Sequence, residues 1–196
     1  MRKFKTERRL EKITKVVRAR QNDLMLILEN IHDAHNVSAI FRSCDAVGIQ
    51  KVGLVYTQEK FPKISRVTSS SANKWVDSIR FSSVEDCIKY LKQNNFTVYA
   101  SILDEKAKSI YDVDFTHPTA IVMGNEHRGI SEEFQKLADE KIYIPMRGMI
   151  QSLNVSVATA VILYEVQRQR TLKGLYDKPN LPEEEIEKLI DQWCQK

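Results

Sequence analysis

Short apolar runs of five to seven residues recur along the chain, and most are followed by a stretch with helical spacing. Leu24–Leu28, Lys51–Tyr56, Trp75–Phe81, Phe96–Ile102, Pro118–Met123 and Lys141–Met146 read as strands. Val37–Val47, Ser83–Gln93, Ser131–Ala138 and Asn154–Arg170 read as helices, and Gly48 stands where a helix C-cap is expected. This alternation predicts an α/β domain with a mostly parallel sheet. In such sheets ligands gather beyond the carboxyl ends of the strands. Attention therefore falls on the loops after Leu28, Met123 and Met146. Gln21-Asn22-Asp23 reads as a break before the first strand, and Ile31–Asn36 as a polar loop. Thr57–Lys74, with Ser69-Ser70-Ser71, is too long for an idle connection and is expected to carry function or a short helix.

Composition narrows the function classes. The 196 residues suit one domain. With 42% hydrophobic and 29% charged residues, a mostly disordered chain is excluded. No apolar run approaches the roughly 20 residues of a membrane span, and no secretory h-region follows Met1. Cys44, Cys87 and Cys194 lie far apart, so neither a disulfide framework nor a metal site is expected, and a cytoplasmic protein is. The 6 glycines form neither a GxGxxG nor a P-loop pattern.

Charge is unevenly spread. Residues 1–20 hold nine Lys/Arg against two Asp/Glu, whereas residues 21–176 balance and residues 177–196 hold three against six. The chain thus divides into a basic helical arm (1–20), a neutral body (21–176) and an acidic helical extension (177–196). A basic arm on a neutral body suits a polyanionic partner, or is simply a solvated amphipathic helix.

Three loops can carry chemistry. In Asn36-Val37-Ser38-Ala39-Ile40-Phe41-Arg42, Asn36 reads as the helix N-cap, with Arg42 between one and two turns on. In Gly124-Asn125-Glu126-His127-Arg128-Gly129, two glycines allow close backbone approach, and Glu126 falls at a ligand-facing strand end. The third segment runs from Ile144 to Ala158. It places hydroxyl and amide side chains before a helix of small residues. Ser152 reads there as a cap; it lacks a GxSxG elbow and is not a hydrolase nucleophile.

Together these segments resemble the three signature motifs of the SpoU branch of the SPOUT RNA methyltransferases, over about residues 24–173. IPMRGMIQSLNVSVATAVILYE is the specific part. HNVSAIFRSCDAVGI, the basic arm and YEVQRQR most resemble the TrmH group, which methylates guanosine 18 of tRNA. Arg147 stands where members of the branch often have an apolar residue.

The resemblance implies a parallel sheet with helices on both faces and a C-terminal trefoil knot. It implies a homodimer, S-adenosylmethionine as cofactor, and methylation of the ribose 2′-hydroxyl of guanosine 18 in the tRNA D-loop. Arg42, Asn36, Glu126, Ser152 and Asn154 match the catalytic positions, and a salt bridge from Glu126 is one way Arg42 would be held. Ser101, Ile102, Gly124, Ile144, Met146, Ser152 and Leu153 match the cofactor-binding positions. Arg8, Arg9, Lys12, Lys15, His35, Arg168 and Arg170 are the expected RNA contacts. The alternatives are the same chemistry on rRNA or another tRNA position, or a non-catalytic RNA-binding α/β protein.

Overall fold

A computed structural model describes residues 2–63 and 72–196. The elements run α1 (Glu7–Arg18), β1 (Gln21–Glu29), α2 (Ala34–Ala46), β2 (Ile49–Val55), β3 (Asp77–Phe81), α3 (Val84–Gln93), β4 (Thr97–Ser101) and β5 (Lys108–Ser109). They continue with β6 (Thr119–Met123), α4 (Glu132–Leu137), β7 (Glu140–Tyr143), α5 (Val155–Leu172) and α6 (Glu183–Trp193). The seven strands among the described residues join one sheet in the order β3-β2-β1-β6-β4-β7-β5. Every pairing is parallel. A short 3-10 turn at Ala72–Lys74 is what the described residues show of the long polar stretch. Ser69-Ser70-Ser71 lie outside the described residues.

The apolar runs are continuous because both faces of the sheet are covered. Leu24, Leu26 and Leu28 of β1 pack with Val37, Ile40, Phe41 and Cys44 of α2 and with Ile162, Leu163 and Val166 of α5. The alternate residues Met25 and Ile27 pack with Val84, Cys87 and Leu91 of α3 and Phe134 of α4. A third cluster lies away from the sheet. Ile13 and Val17 of α1 meet Ile186, Leu189, Ile190 and Trp193 of α6. Arg2 pairs with Glu187 and Asp191, and Arg18 with Glu183. The basic and acidic tails are therefore one paired unit.

Three boundaries differ from the sequence expectation by three residues, and the end of β7 is one of them: the strand stops at Tyr143, not Met146. β1 begins at Gln21, not after Asp23, and its register against β2 slips between Gln21 and Met25. Gln21 is fully buried, yet its amide oxygen accepts a hydrogen bond from Arg170 Nη1, so the polar start of the strand is compatible with the interior. Helix α2 begins at Ala34 and is capped by Asp33, whose Oδ1 accepts from the His35 N–H at 2.7 Å. That cap frees Asn36 for other contacts.

Candidate active site

The loops leaving β4, β6 and β7 converge with the start of α5 on a cavity of about 560 Å³. All seven expected cofactor-binding residues line it: Ser101, Ile102, Gly124, Ile144, Met146, Ser152 and Leu153. Gln151, Tyr143 and Arg128 line it too and were not singled out from sequence. Gln151 sits in the same third segment, which is the signal that could have found it.

Glycine is needed at the β6 exit. A Cβ on Gly124 would lie 2.3 Å from the Gly129 backbone. Asn125 and Gly129 exchange both main-chain hydrogen bonds, at 3.0 and 2.9 Å, and Gly129 has φ +68°. The loop is thereby folded back tightly, with Glu126 at its tip. Asn125 anchors it: its Nδ2 donates to the Asn30 carbonyl at 2.7 Å, and its Oδ1 accepts from the His127 and Arg128 N–H groups.

Glu126 joins the first two motif segments. Its Oε1 accepts from Asn36 Nδ2 at 2.9 Å and from the Asp33 N–H at 3.2 Å, and its Oε2 accepts from the His32 N–H at 3.1 Å. Asn154 adds the third segment by donating from Nδ2 to Asn36 Oδ1 at 3.0 Å. Its Oδ1 accepts from the Ser156 N–H and caps α5. So Asn154, not Ser152, is the cap, and Asn36 is the bridge between carboxylate and amide rather than a cap. Burial pushes the Glu126 carboxyl up, but the donors from Asn36, His32 and Asp33 outweigh it and hold its pKa below the usual carboxylate value. An ionised carboxylate at the start of α2 is also favoured by the helix dipole. A group so held is an anchor rather than a strong base.

A second cavity of about 560 Å³, lined by His32, Asp33, Ala34, Asn36, Glu126, His127 and Asn154, shares Glu126 and Asn154 with the first. The two spaces thus meet across the Glu126–Asn154 wall.

The first cavity fits S-adenosylmethionine. Its volume falls in the small-ligand range of roughly 300–1,000 Å³. Ile102, Ile144 and Leu153 give it apolar surface beside the hydroxyls of Ser101 and Ser152. Among the described residues, the backbone of 145–153 makes no main-chain hydrogen bond, so its N–H and C=O groups are available to a ligand. The carboxylate of Glu126 complements a sulfonium cation.

The other expected residues fall elsewhere. Arg42 is exposed on α2, lines neither cavity and pairs with no described residue. The salt bridge to Glu126 is not made, because six residues along a helix place Arg42 about 240° around from Asn36. Arg8, Arg9, Lys12, Lys15 and His35 are exposed. Arg168 is exposed and forks onto Glu165 at 2.8 and 2.9 Å.

Arg170 is a correction. It is fully buried and donates to the carbonyls of Phe115, His117 and Asp23, to Gln21 Oε1 and to Asp23 Oδ1. These five bonds turn its donors inward, so it is a structural tie and not an RNA contact. Cys44 and Cys87 are buried and desolvation pushes both thiols up, which leaves them unsuited to nucleophilic work.

Residues 23–164 match the sequence profile of the SpoU rRNA Methylase family. A tRNA (guanosine(18)-2′-O)-methyltransferase of Thermus thermophilus is 47% identical over 192 residues, 98% of each chain. The crystal structure of the A. aeolicus TrmH/SpoU tRNA modifying enzyme superposes with a TM-score of 0.90 at 42% identity, over 96% of both chains. The SpoU methyltransferase AviRb from Streptomyces viridochromogenes, solved with the cofactor AdoMet, gives a TM-score of 0.68 at 27% identity, over 77% of this chain and 59% of that one. The matched profile runs through the first two loops that meet at Glu126 and on into α5 beyond Asn154, and the chain belongs to the SpoU rRNA Methylase family.

Proposed function

We propose that this chain transfers the methyl group of S-adenosylmethionine to the ribose 2′-hydroxyl of guanosine 18 in the D-loop of tRNA. The observation that carries the reading is the Asn36–Glu126–Asn154 bridge, which ties three loops together where two cavities meet. One cavity holds the methyl donor, and the hydroxyl reaches the same wall from the other. The near full-length likeness to a tRNA (guanosine(18)-2′-O)-methyltransferase supports this substrate over rRNA.

When bound, the cofactor supplies an electrophilic methyl. The chain's own residues align the hydroxyl oxygen with it, and the hydroxyl proton leaves to solvent water as the new C–O bond forms. Ser152, Asn154 and Glu126 line the cavity wall and orient the reactants. Arg42 is placed at the reacting hydroxyl. Its guanidinium does not readily give up a proton, so its work is to orient the oxygen and stabilise developing alkoxide charge.

Because it lines neither cavity of its own chain, Arg42 reaches that position from a second copy. Val157, Tyr164 and Leu172 are exposed along one face of α5, an apolar stripe that a homodimer would cover. The path from β6 to α5 is read as the trefoil knot of the family. The α1–α6 pair is read as the RNA-gripping unit, with Arg8, Arg9, Lys12 and Lys15 on phosphates and with His35 and Arg168 near the site. The test is methyl mapping. Unmodified tRNA incubated with labelled S-adenosylmethionine is expected to carry the label on the ribose of guanosine 18. Label on a base, or on another nucleotide, overturns the assignment.

A further inference from the structure

The helix that carries Asn36 and Arg42 is held at both ends. At its start, Asn36 is tied to Glu126 and Asn154. Near its far end, Asp45 accepts from Nη2 of Arg20. Arg20 belongs to the link between α1 and β1, yet it is fully buried. Its Nη1 donates to the Ile49 carbonyl at 2.8 Å, at the start of β2. Its guanidinium carbon lies 4.9 Å from the ring centroid of Trp193, the last residue of α6. The Trp193 ring in turn stands 4.8 Å from that of Trp75. One side chain therefore touches α2, β2 and the α1–α6 pair.

Arg42 and Asp45 are three residues apart and share a flank of α2. A helix transmits displacement over one turn almost undiminished, because its backbone hydrogen bonds fix the rise and rotation of each residue. Whatever sets Asp45 also sets Arg42.

We infer that Arg20 is a positioning residue: it fixes α2, and with it Arg42 and Asn36, from the α1–α6 pair, so that RNA held on the basic face of α1 completes the active site. This rests on the RNA methyltransferase reading above. A buried ion pair is weak evidence for stability alone. What marks this one is its place, between the unit that faces RNA and the helix that carries the arginine.

Arg20→Met is the first variant. The Asp45 side chain is 34% exposed, so water can take its carboxylate, whereas Asp45→Ala would strand a buried charge. Turnover is measured at saturating tRNA and cofactor, tRNA affinity by filter binding and cofactor affinity by calorimetry. All are done where circular dichroism shows folded protein. The expected result is a kcat lower by about 10- to 100-fold, the scale of a misplacement near 1 Å. Both affinities stay within about twofold. Arg20→Lys, which keeps the charge, recovers part of the loss. Trp193→Leu leaves the Arg20 bonds to Asp45 and Ile49 in place and removes the indole, which also fills part of the α1–α6 core; it lowers kcat in the same direction and, where circular dichroism shows it folded, decides the matter if Arg20→Met does not fold.

Folded variants with wild-type kcat overturn the inference. So does a kcat loss matched by equal losses of both affinities, the pattern of general loosening. Wild-type protein that leaves tRNA ribose unmethylated overturns the functional reading as well. Wild-type turnover beside unaffected variants overturns this inference alone.

Discussion

Removing Arg170 should cost a large part of the folding free energy. Its guanidinium is fully buried and makes five hydrogen bonds, at 2.7 to 3.2 Å, to two separate pieces of chain, the start of β1 and the segment from Phe115 to His117. Arg170→Ala deletes all five. The Asp23 side chain is 27% exposed, so water recovers part of that site. Phe115 and Gln21 are fully buried and their acceptors are left without a partner. At ~1–3 kcal/mol for each unsatisfied buried group, the loss comes to about 4 kcal/mol, in line with the cost of breaking a buried pair. That is a large share of a total stability of roughly 5–15 kcal/mol. Arg170→Lys keeps the charge but offers three donors where five bonds stood, and should lose about 2 kcal/mol. Urea unfolding at fixed protein concentration reads both values, with an unchanged slope expected. An alanine variant within about 0.5 kcal/mol of wild type would refute the reasoning. Unchanged stability with weaker tRNA binding and a shallower salt dependence would return Arg170 to the RNA surface.

Arg42→Ala should abolish methyl transfer and leave cofactor affinity near wild type, because Arg42 is assigned to the reacting hydroxyl and is not among the residues that line the cofactor cavity; isothermal titration beside a turnover assay separates the two. Glu126 has its pKa lowered in the fold, so its contribution to stability is fully present above the unfolded carboxylate pKa of about 4.3 and is lost as pH falls through the folded value. Acid melts of Glu126→Gln should therefore show a flatter decline below that pH than wild type, with the amide already less stable at neutral pH. Replacing Arg8, Arg9, Lys12 and Lys15 together by serine should weaken tRNA binding and reduce the salt slope by about 0.9 for each phosphate no longer neutralised. A slope that does not move would take α1 off the RNA.

What was legible in the sequence follows the range of the interactions. β1 and β6 showed as apolar runs because residues of both parities are buried, which composition alone reports. The cofactor-site positions were legible because parallel strands deliver their exits to one edge, and the motif residues sit at those exits. The start of β1 was not legible. Gln21 and Asp23 look like a break until Arg170, almost 150 residues away in sequence, is brought beside them. The same distance hid the role of Arg170, since a charge near a helix end reads as solvent-facing. β5, with two residues, is too short for any periodicity. The capping of α2 was misassigned because Asp33 and Asn36 are equally good caps by type, and only the contact with Glu126 tells them apart.

The pairing of α1 with α6 also orders events during synthesis. Ile13 and Val17 leave the ribosome about 170 residues ahead of the surface that buries them, from Ile186 to Trp193. Until then the basic helix has an uncovered apolar face, and Arg20 has no indole to stack on. Such a long-range closure is slow to form and waits for α6. A nascent chain can assemble its sheet before α6 is made and still lack a docked arm, so in the functional reading above the RNA-gripping unit forms only once Ile186–Trp193 are in place.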